Sequence, residues 1–466
     1  MTNNRIVILG AGESGIGAAL LAKKKGFDVF VSDKGIISPE AKEELKNNNI
    51  SFEENIHSEE RILNGVEVIK SPGIPDKAPI IKALHEKGIP VISEIEFAGR
   101  YSKAFKIGIT GSNGKTTTTM WIYHVLKQVG MDVALAGNVG TSFARVLTEK
   151  DPDIAVIELS SFQLDGMHDF KCDIAIITNI TPDHLDRYNY EFQNYIDSKL
   201  RIIQNQTKKD VFIYNADDKV IERNLKNIKV DAQILPFSLH KSASASVVNN
   251  KVRFSVSEKT YEIPVDSISL KGKHNVCNAM AAGLAAFMAK ATEYNVLTGL
   301  SDFKEVEHRL EFTDVINGVT YINDSKATNV DSAWFALDSM TEPTIWIAGG
   351  TDKGNDYSAL FDLVKTKVKV LVCLGADNSK LLKTFEGMIP AIKDTHSMEE
   401  AIEYASAIAK GNETVLLSPA CASFDLFNNY EHRGKMFKQC VNELRKELRK
   451  EMRILKAEKF SKSKHL

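Results

Sequence analysis

The stretch Ile107-Gly108-Ile109-Thr110-Gly111-Ser112-Asn113-Gly114-Lys115-Thr116-Thr117 decides how this chain is read. An apolar, β-branched run leads straight into glycines, a lysine and hydroxyls, the make-up of a phosphate cradle. Glycines let backbone N–H groups turn inward on phosphate oxygens, Lys115 brings a point charge to the β/γ end, and the Thr116 hydroxyl offers Mg²⁺ a ligand. Two residues separate Gly111 from Gly114, whereas the usual P-loop has four, so the common NTPase families fit poorly. The plainer alternative is a glycine turn that only caps a helix. Against it stand a strand before the glycines and a proline-free segment after them, in which Trp121, Val125 and Val129 recur at helical spacing. Residues Gly111, Ser112, Asn113, Gly114, Lys115, Thr116, Thr117 and Thr118 are therefore expected to hold ATP.

Working outward, strands are predicted at Val133 to Ala136, Ile154 to Leu159 and Ile174 to Thr178. Their β-branched character suits a buried parallel sheet. From Val247 to Ile263 alternation around Asn249-Asn250 predicts a small antiparallel hairpin at the edge of that sheet. Upstream, strand Arg5 to Leu9, the turn Gly10-Ala11-Gly12-Glu13-Ser14-Gly15, an alanine-rich helix and strand Asp28 to Ser32 form a βαβ opening. The glycine spacing matches the dinucleotide fingerprint and Asp33 stands where an acidic ribose partner would sit. This admits a phosphate-bearing ligand, including a nicotinamide cofactor, or a Rossmann turn with no ligand at all. Strand Val66 to Lys70 ends at Ser71-Pro72-Gly73, a loop at the carboxyl edge of the same sheet. A third α/β segment begins near Asp302, with strands at Thr344 to Ala348, Val368 to Cys373 and Thr414 to Leu417.

Three side chains near the cradle carry chemistry. Glu158 closes a strand of the same sheet, where Mg²⁺ on ATP needs a protein ligand, although a strand-end glutamate also serves as a cap or a solvated residue. His184, in the loop Thr178 to Asp186, is a candidate for a second Mg²⁺ or for a structural or substrate contact, since histidine is unusual for so hard a cation. On the helix predicted from Glu191 to Gln204, Phe192, Ile196, Leu200 and Ile203 form the inward stripe and Lys199 lies at its edge. A lone lysine there ordinarily snorkels, methylenes buried and ammonium wet.

A chain of 466 residues exceeds one hydrophobic core, and two or three domains of about 100 to 200 residues are expected. A formal net charge of -2 leaves no electrostatic footprint for nucleic acid or an anionic membrane. Five scattered cysteines with no Cys-x-x-Cys pair point to neither a disulfide framework nor a zinc site and suit a reducing cytoplasm. The apolar opening Ile6 to Leu9 is too short for a signal core, and no run is long enough to cross a membrane. The Lys- and Arg-rich stretch Glu443 to Phe460 reads as an amphipathic helix striped by Leu444, Leu448, Met452 and Leu455, with Ser461 to Leu466 frayed.

The motifs form an ordered series: Gly111 to Thr117, Glu158-Leu159-Ser160-Ser161-Phe162-Gln163, Asn179 to His184, Lys199, Asn275-Val276-Cys277-Asn278, His308-Arg309, Asn323 to Asn329, and Ser418 to Asp425. Spanning nearly the whole chain, the series resembles that of the Mur ligases. Ser71-Pro72-Gly73, the Asp-Ser-Lys-Ala-Thr-Asn run and Ser-Pro-Ala-Cys-Ala-Ser resemble the D-glutamate-adding branch, and the Asp-Asn-Pro signature of the diaminopimelate- or lysine-adding branch is absent. Sister ligases, including folate-polyglutamating enzymes, share the cradle and differ in acceptor. The resemblance implies an α/β fold of three domains: Rossmann-like 1–101 for a UDP-sugar, a P-loop-type ATPase 102–302 with a parallel sheet, and Rossmann-like 303–466 for the amino acid. It implies a monomeric, ATP-dependent ligase that joins D-glutamate to UDP-N-acetylmuramoyl-L-alanine, with two Mg²⁺ ions.

By this similarity Lys115, Lys199, His184 and Lys326 would be catalytic. Thr116, Glu158, His184 and a carbamylated Lys199 would hold metal. Asn275, Asn278, Arg309 and Asp324 would meet the nucleotide, and Lys326 and Thr328 the reacting end. Glu13, Ser14, Asp33, Lys34, Ser71, Pro72, Gly73, Asn138 and Gln163 would touch the UDP-sugar substrate, and Lys353, Ser423 and Phe424 the D-glutamate. Lys34-Gly35 stands where relatives often carry Thr-Arg beside uracil, and Thr351-Asp352 departs from the pattern just before Lys353.

Overall fold

β-Branched runs with no polar interruption must be covered on both faces, and parallel strands do this with crossover helices. The computed structural model describes residues 4–256, 258–304, 307–352 and 354–463, excepting the side chains of 331 and 451–463. It contains three such sheets. The first has five parallel strands in the order Ser51–Glu53, Asp28–Ser32, Arg5–Leu9, Glu67–Lys70, Val91–Ile92. Strand order reverses between Arg5–Leu9 and Glu67–Lys70, so their carboxyl ends open the crevice where α/β sheets take ligands.

The second sheet has nine strands. Phe105–Thr110, which feeds the glycine loop, lies between Ile154–Glu158 and Ile174–Ile177, parallel to both. Both neighbours therefore deliver their carboxyl ends to the same edge as Gly111. The predicted hairpin is larger than expected: Ala245–Val248, Lys251–Val256 and Lys259–Pro264 form an antiparallel three-strand margin. Asn249 and Asn250 both take left-handed φ in the first of its turns. The expected helix from Glu191 stops at Leu200, and the chain tightens into a 3₁₀ turn over Arg201–Ile203.

The chain divides into two compact units, 1–304 and 305–466. The first two expected domains thus share one unit, and their junction explains why. Gly17 brings helix Glu13–Lys24 so close to helix Phe143–Glu149 that a Cβ there would lie 2.1 Å from Ser142 Oγ. Arg145 crosses the same contact, with Nε donating to Glu13 Oε1 at 2.9 Å and Nη2 to Glu44 Oε2 at 3.0 Å. Glu96, buried, accepts from the backbone N–H groups of His168, Asp169 and Phe170. Glu94 is buried beside it and accepts from Ala144 N–H, and burial pushes its carboxyl up to about 8.

The second unit carries a six-stranded sheet in the order Glu311–Ile316, Val319–Asn323, Thr414–Leu417, Thr344–Ala348, Val368–Leu374, Ala391–Thr395, parallel except at its first pair. Its last helix, Tyr430–Ser463, packs Leu444 and Leu448 on the core. Met452 and Leu455 lie outside the described side chains. The helix continues through Ser461 to Ser463 instead of fraying there, and 464–466 are outside the described residues.

Candidate active site

At the end of Phe105–Thr110 the chain turns through Gly111, φ 145°, and Gly114, φ 81°. Both are positions that side chains other than glycine's resist. Space demands glycine as well: a Cβ on Gly111 would lie 2.0 Å from Thr178 Oγ1, and one on Gly114 2.4 Å from Asn278 Oδ1. Gly114 is the N-cap of helix Lys115–Gln128, and the positive end of a helix favours an anion at its start. The next strand's loop fixes the cradle. Asn113 N–H donates to Asn179 Oδ1 at 2.8 Å, Thr178 Oγ1 donates to Asn113 O at 2.5 Å, and Ser112 Oγ donates to Thr181 O at 2.8 Å.

Lys115 and Lys199 meet at one atom. Each donates from Nζ to the Gly111 carbonyl at 2.8 Å. Lys199 is buried, 1% exposed, and its ammonium lies 4.5 Å from the centre of the Tyr195 ring. It therefore does not snorkel, which corrects the expectation for a lone lysine. Burial first, and Lys115 second, hold its amine well below the usual lysine range, against the opposing pull of Asp183, Asp165 and Glu158.

Glu158, the last residue of its strand, is buried and accepts from Thr116 Oγ1 at 2.6 Å and from Asn138 Nδ2 at 2.7 Å. Hydroxyl and carboxylate are the hard oxygen donors that Mg²⁺ prefers, and one or two such groups suffice when phosphate and water supply the rest. Among the described residues no three His, Cys, Asp or Glu side chains form a metal-holding group. His184, φ 54°, sits with Nε2 3.6 Å from Asp183 Oδ2 and edge-on to Phe162.

The remaining nucleotide candidates of this unit divide. Thr118 Oγ1 donates to Asn278 Oδ1 at 3.3 Å, and Asn278 Nδ2 to Asn275 Oδ1 at 3.2 Å, so Thr118 is turned to the asparagine pair instead of the loop. Thr117 Oγ1 is buried with no hydrogen-bond partner among the described residues. Gln163 is buried and closes a capping box, its Oε1 accepting from Ser160 N–H at 2.9 Å; that oxygen is committed to the helix start.

At the switch point of the first sheet lies a cleft of about 380 Å³ that includes Glu13, Ser14, Asp33, Lys34 and the loop Ser71 to Gly73. Two of its acids are committed to protein. Asp33 accepts from Ala11 N–H and Gly35 N–H, both at 2.7 Å, and Glu13 from Arg145. From the second sheet, Arg187 reaches this rim, donating to Pro72 O at 3.2 Å while its guanidinium lies 4.3 Å from the centre of the Phe162 ring. His57 also lines the cleft, a residue the sequence reading did not single out.

In the second unit, Val319–Asn323 and Thr414–Leu417 end side by side. Asp324 is buried and accepts from Ser418 Oγ at 2.8 Å and Leu310 N–H at 3.1 Å; burial raises its carboxyl to about 6, opposed chiefly by Arg309. Lys326 Nζ donates to Tyr430 Oη at 2.9 Å, Thr328 is half-buried, Ser423 is buried and Phe424 is exposed. Lys353 lies outside the described residues. Sequence reasoning also missed Arg433. It is buried and donates to Ser325 O at 2.8 Å, Ser325 Oγ at 3.0 Å and Cys421 O at 3.2 Å, tying together both loops that carry candidates. Nothing in a strongly charged helix marks one arginine as inward.

Comparison with known proteins identifies the family. Residues 5–80 match the MurD N-terminal domain, 109–286 the Mur ligase middle domain and 308–421 the Mur ligase glutamate ligase domain. The UDP-N-acetylmuramoylalanine–D-glutamate ligase of Christiangramia forsetii is 51% identical over 94% of this chain and 99% of its own. That of Bacteroides fragilis is 51% identical over 94% and 100%, and that of Chlorobium phaeobacteroides 40% over 96% and 99%. Among solved structures, UDP-N-acetylmuramate–alanine ligase MurC of Thermotoga maritima has a TM-score of 0.61 at 18% identity, covering 94% of this chain and 99% of its own. The pseudomurein peptide ligase type C of Methanothermus fervidus has 0.60 at 21%, covering 95% and 100%. The chain belongs to the Mur ligase family, alongside its UDP-N-acetylmuramoylalanine–D-glutamate ligases.

Proposed function

We propose that this chain joins D-glutamate to the terminal carboxylate of UDP-N-acetylmuramoyl-L-alanine, converting ATP to ADP and phosphate, in peptidoglycan precursor synthesis. A carboxylate is a poor electrophile and oxide a poor leaving group, so an amide forms at neutral pH only after activation. The γ-phosphoryl group passes to the carboxylate oxygen, giving an acyl phosphate. The D-glutamate amine attacks its carbonyl carbon, and the tetrahedral intermediate expels phosphate as the amine nitrogen loses its proton.

The chain's part is positioning and charge neutralisation. Gly111 to Thr116 hold the triphosphate, Lys115 meets its outer oxygens, and Lys326 serves the reacting end. Thr116 and Glu158 would hold Mg²⁺, with His184 beside a second ion; bound there, magnesium neutralises charge developing on phosphoryl oxygens. Lys199, depressed by burial and by Lys115, offers an amine able to add CO₂. The neutral amine's lone pair forms the N–C bond as one C–O π bond of CO₂ opens onto oxygen. One proton leaves the nitrogen, and the neutral amine becomes a carbamate anion suited to metal. Asn275, Asn278, Arg309 and Asp324 serve the nucleotide. Asn138, Gln163 and the first cleft serve the UDP-sugar, and Lys353, Ser423 and Phe424 serve D-glutamate. The working protein is a cytoplasmic monomer of three domains, 1–101, 102–302 and 303–466, with no nucleic-acid or membrane partner.

The observation that carries this reading is Thr116 Oγ1 on Glu158 at 2.6 Å, with Asn138 on the other carboxylate oxygen, directly beside the cradle. The test is phosphate release with ATP, Mg²⁺ and UDP-N-acetylmuramoyl-L-alanine against a panel of L- and D-amino acids. Release confined to D-glutamate is expected; release with another acceptor, or none, overturns the assignment.

A further inference from the structure

Resting on that function, we propose that His57 reads the nucleobase of the UDP moiety, its Nε2 accepting a hydrogen bond from the uracil N3–H. A nucleotide in the first cleft has its pyrophosphate fixed at the glycine turn and the start of helix Glu13–Lys24. From there it runs toward the strands Asp28–Ser32 and Ser51–Glu53, whose following loops carry Asp33, Lys34 and His57. With Asp33 tied to Ala11 and Gly35 amides, the polar side chains at this end that remain for a base edge are Lys34 and His57.

A relay behind the ring fixes what it presents. Ser32 Oγ lies 2.7 Å from Glu53 Oε1 and 2.7 Å from His57 Nδ1. Glu53 also accepts from Ser58 N–H at 2.8 Å, and its carboxyl is held below the usual range although burial opposes this; it is ionised and can only accept. The single Ser32 proton has two acceptors, Glu53 at 2.7 Å and Ile56 O at 3.3 Å, so toward the ring the hydroxyl oxygen accepts from His57 Nδ1–H. Nε2 is left as a lone pair, and burial of the ring favours this neutral form, with Lys34 assisting and Asp33 and Glu53 opposing. An acceptor at this point matches N3–H of uracil and repels the N3 lone pair of cytosine. Lys34 supplies a donor for a uracil carbonyl.

The test is calorimetric titration of the full chain with UDP and with CDP, in the wild type and in His57→Leu and Ser32→Ala. The wild type is expected to favour UDP by about tenfold. His57→Leu should bring the ratio near unity, and Ser32→Ala, which leaves the imidazole in place but frees its tautomer, should lower it part of the way. Lowering the pH through the His57 titration puts a proton on Nε2, so the wild-type preference should fall while the His57→Leu ratio stays flat. Tight UDP binding with an undiminished ratio in His57→Leu overturns this inference alone. Failure of the wild type to bind UDP overturns it together with the proposed function.

Discussion

Alanine at Gly111 and alanine at Gly12 are the same substitution in two glycine loops, and the structure separates them. At Gly111 the backbone sits at φ 145°, and the new Cβ would lie 2.0 Å from Thr178 Oγ1, with the Asn179 backbone O and N at 3.1 and 3.2 Å. Thr178 cannot swing aside freely, because its hydroxyl holds Asn113 O at 2.5 Å. The backbone conformation costs about 1–3 kcal/mol for a residue with a side chain, and forced displacement in a packed site about 1–3 kcal/mol more. At Gly12, φ is -78° and nothing lies within 4 Å of a Cβ, so the change there should stay within about 0.5 kcal/mol. Thermal unfolding and phosphate release measure both effects. Gly111→Ala should lower Tm by several degrees and lose ligation, because both lysines anchor on the Gly111 carbonyl, whereas Gly12→Ala should keep its Tm. A Gly111→Ala protein with wild-type Tm and turnover would refute the reasoning.

Three further outcomes follow from named contacts. Thr116→Val removes the hydroxyl on Glu158 and with it a charge-assisted bond of about 1.5–3 kcal/mol; phosphate release should fall about 10- to 100-fold, and Thr116→Ser should restore most of it. Arg433→Met keeps the bulk but removes the donors that reach the Ser325 and Cys421 carbonyls, a loss of about 1–3 kcal/mol, so limited proteolysis should cut residues 305–466 sooner than in the wild type. Glu94 gives a pH signature in chemical denaturation. Its folded pKa, about 8, exceeds the ordinary 4.5, so the native state holds the proton more tightly and stability falls as pH rises from about 4.5 to about 8, by a few kcal/mol. Glu94→Gln should flatten that slope, and a slope unchanged by the substitution would refute the assignment.

Much of the fold was legible because its signals are local. The strands Arg5–Leu9, Asp28–Ser32, Thr344–Ala348 and Thr414–Leu417 emerge at their expected boundaries, since apolar β-branched runs bounded by glycine or polar residues leave little choice. The cradle was legible for a similar reason: its glycines, lysine and hydroxyls act within one turn of chain. What failed to read involved partners distant in sequence. The junction of 1–101 with 102–302 is one case: Gly17 meets Ser142 and Glu96 meets the amides of 168–170, contacts that no window of sequence contains. Arg433 belongs to the same class, because only the fold brings Ser325 and Cys421 to it.

Lys199 shows the physical limit most clearly. Helical periodicity placed it correctly at the margin of an apolar stripe, and from there snorkelling was the cheaper outcome for a lysine facing water. The fold instead puts the Gly111 carbonyl within reach of its Nζ and Lys115 on the same oxygen. Two ammoniums at one carbonyl repel, and the buried member gives way first because it also bears the desolvation cost. The state of the Lys199 amine thus follows from where residue 111 sits and not from any property of residue 199 read alone.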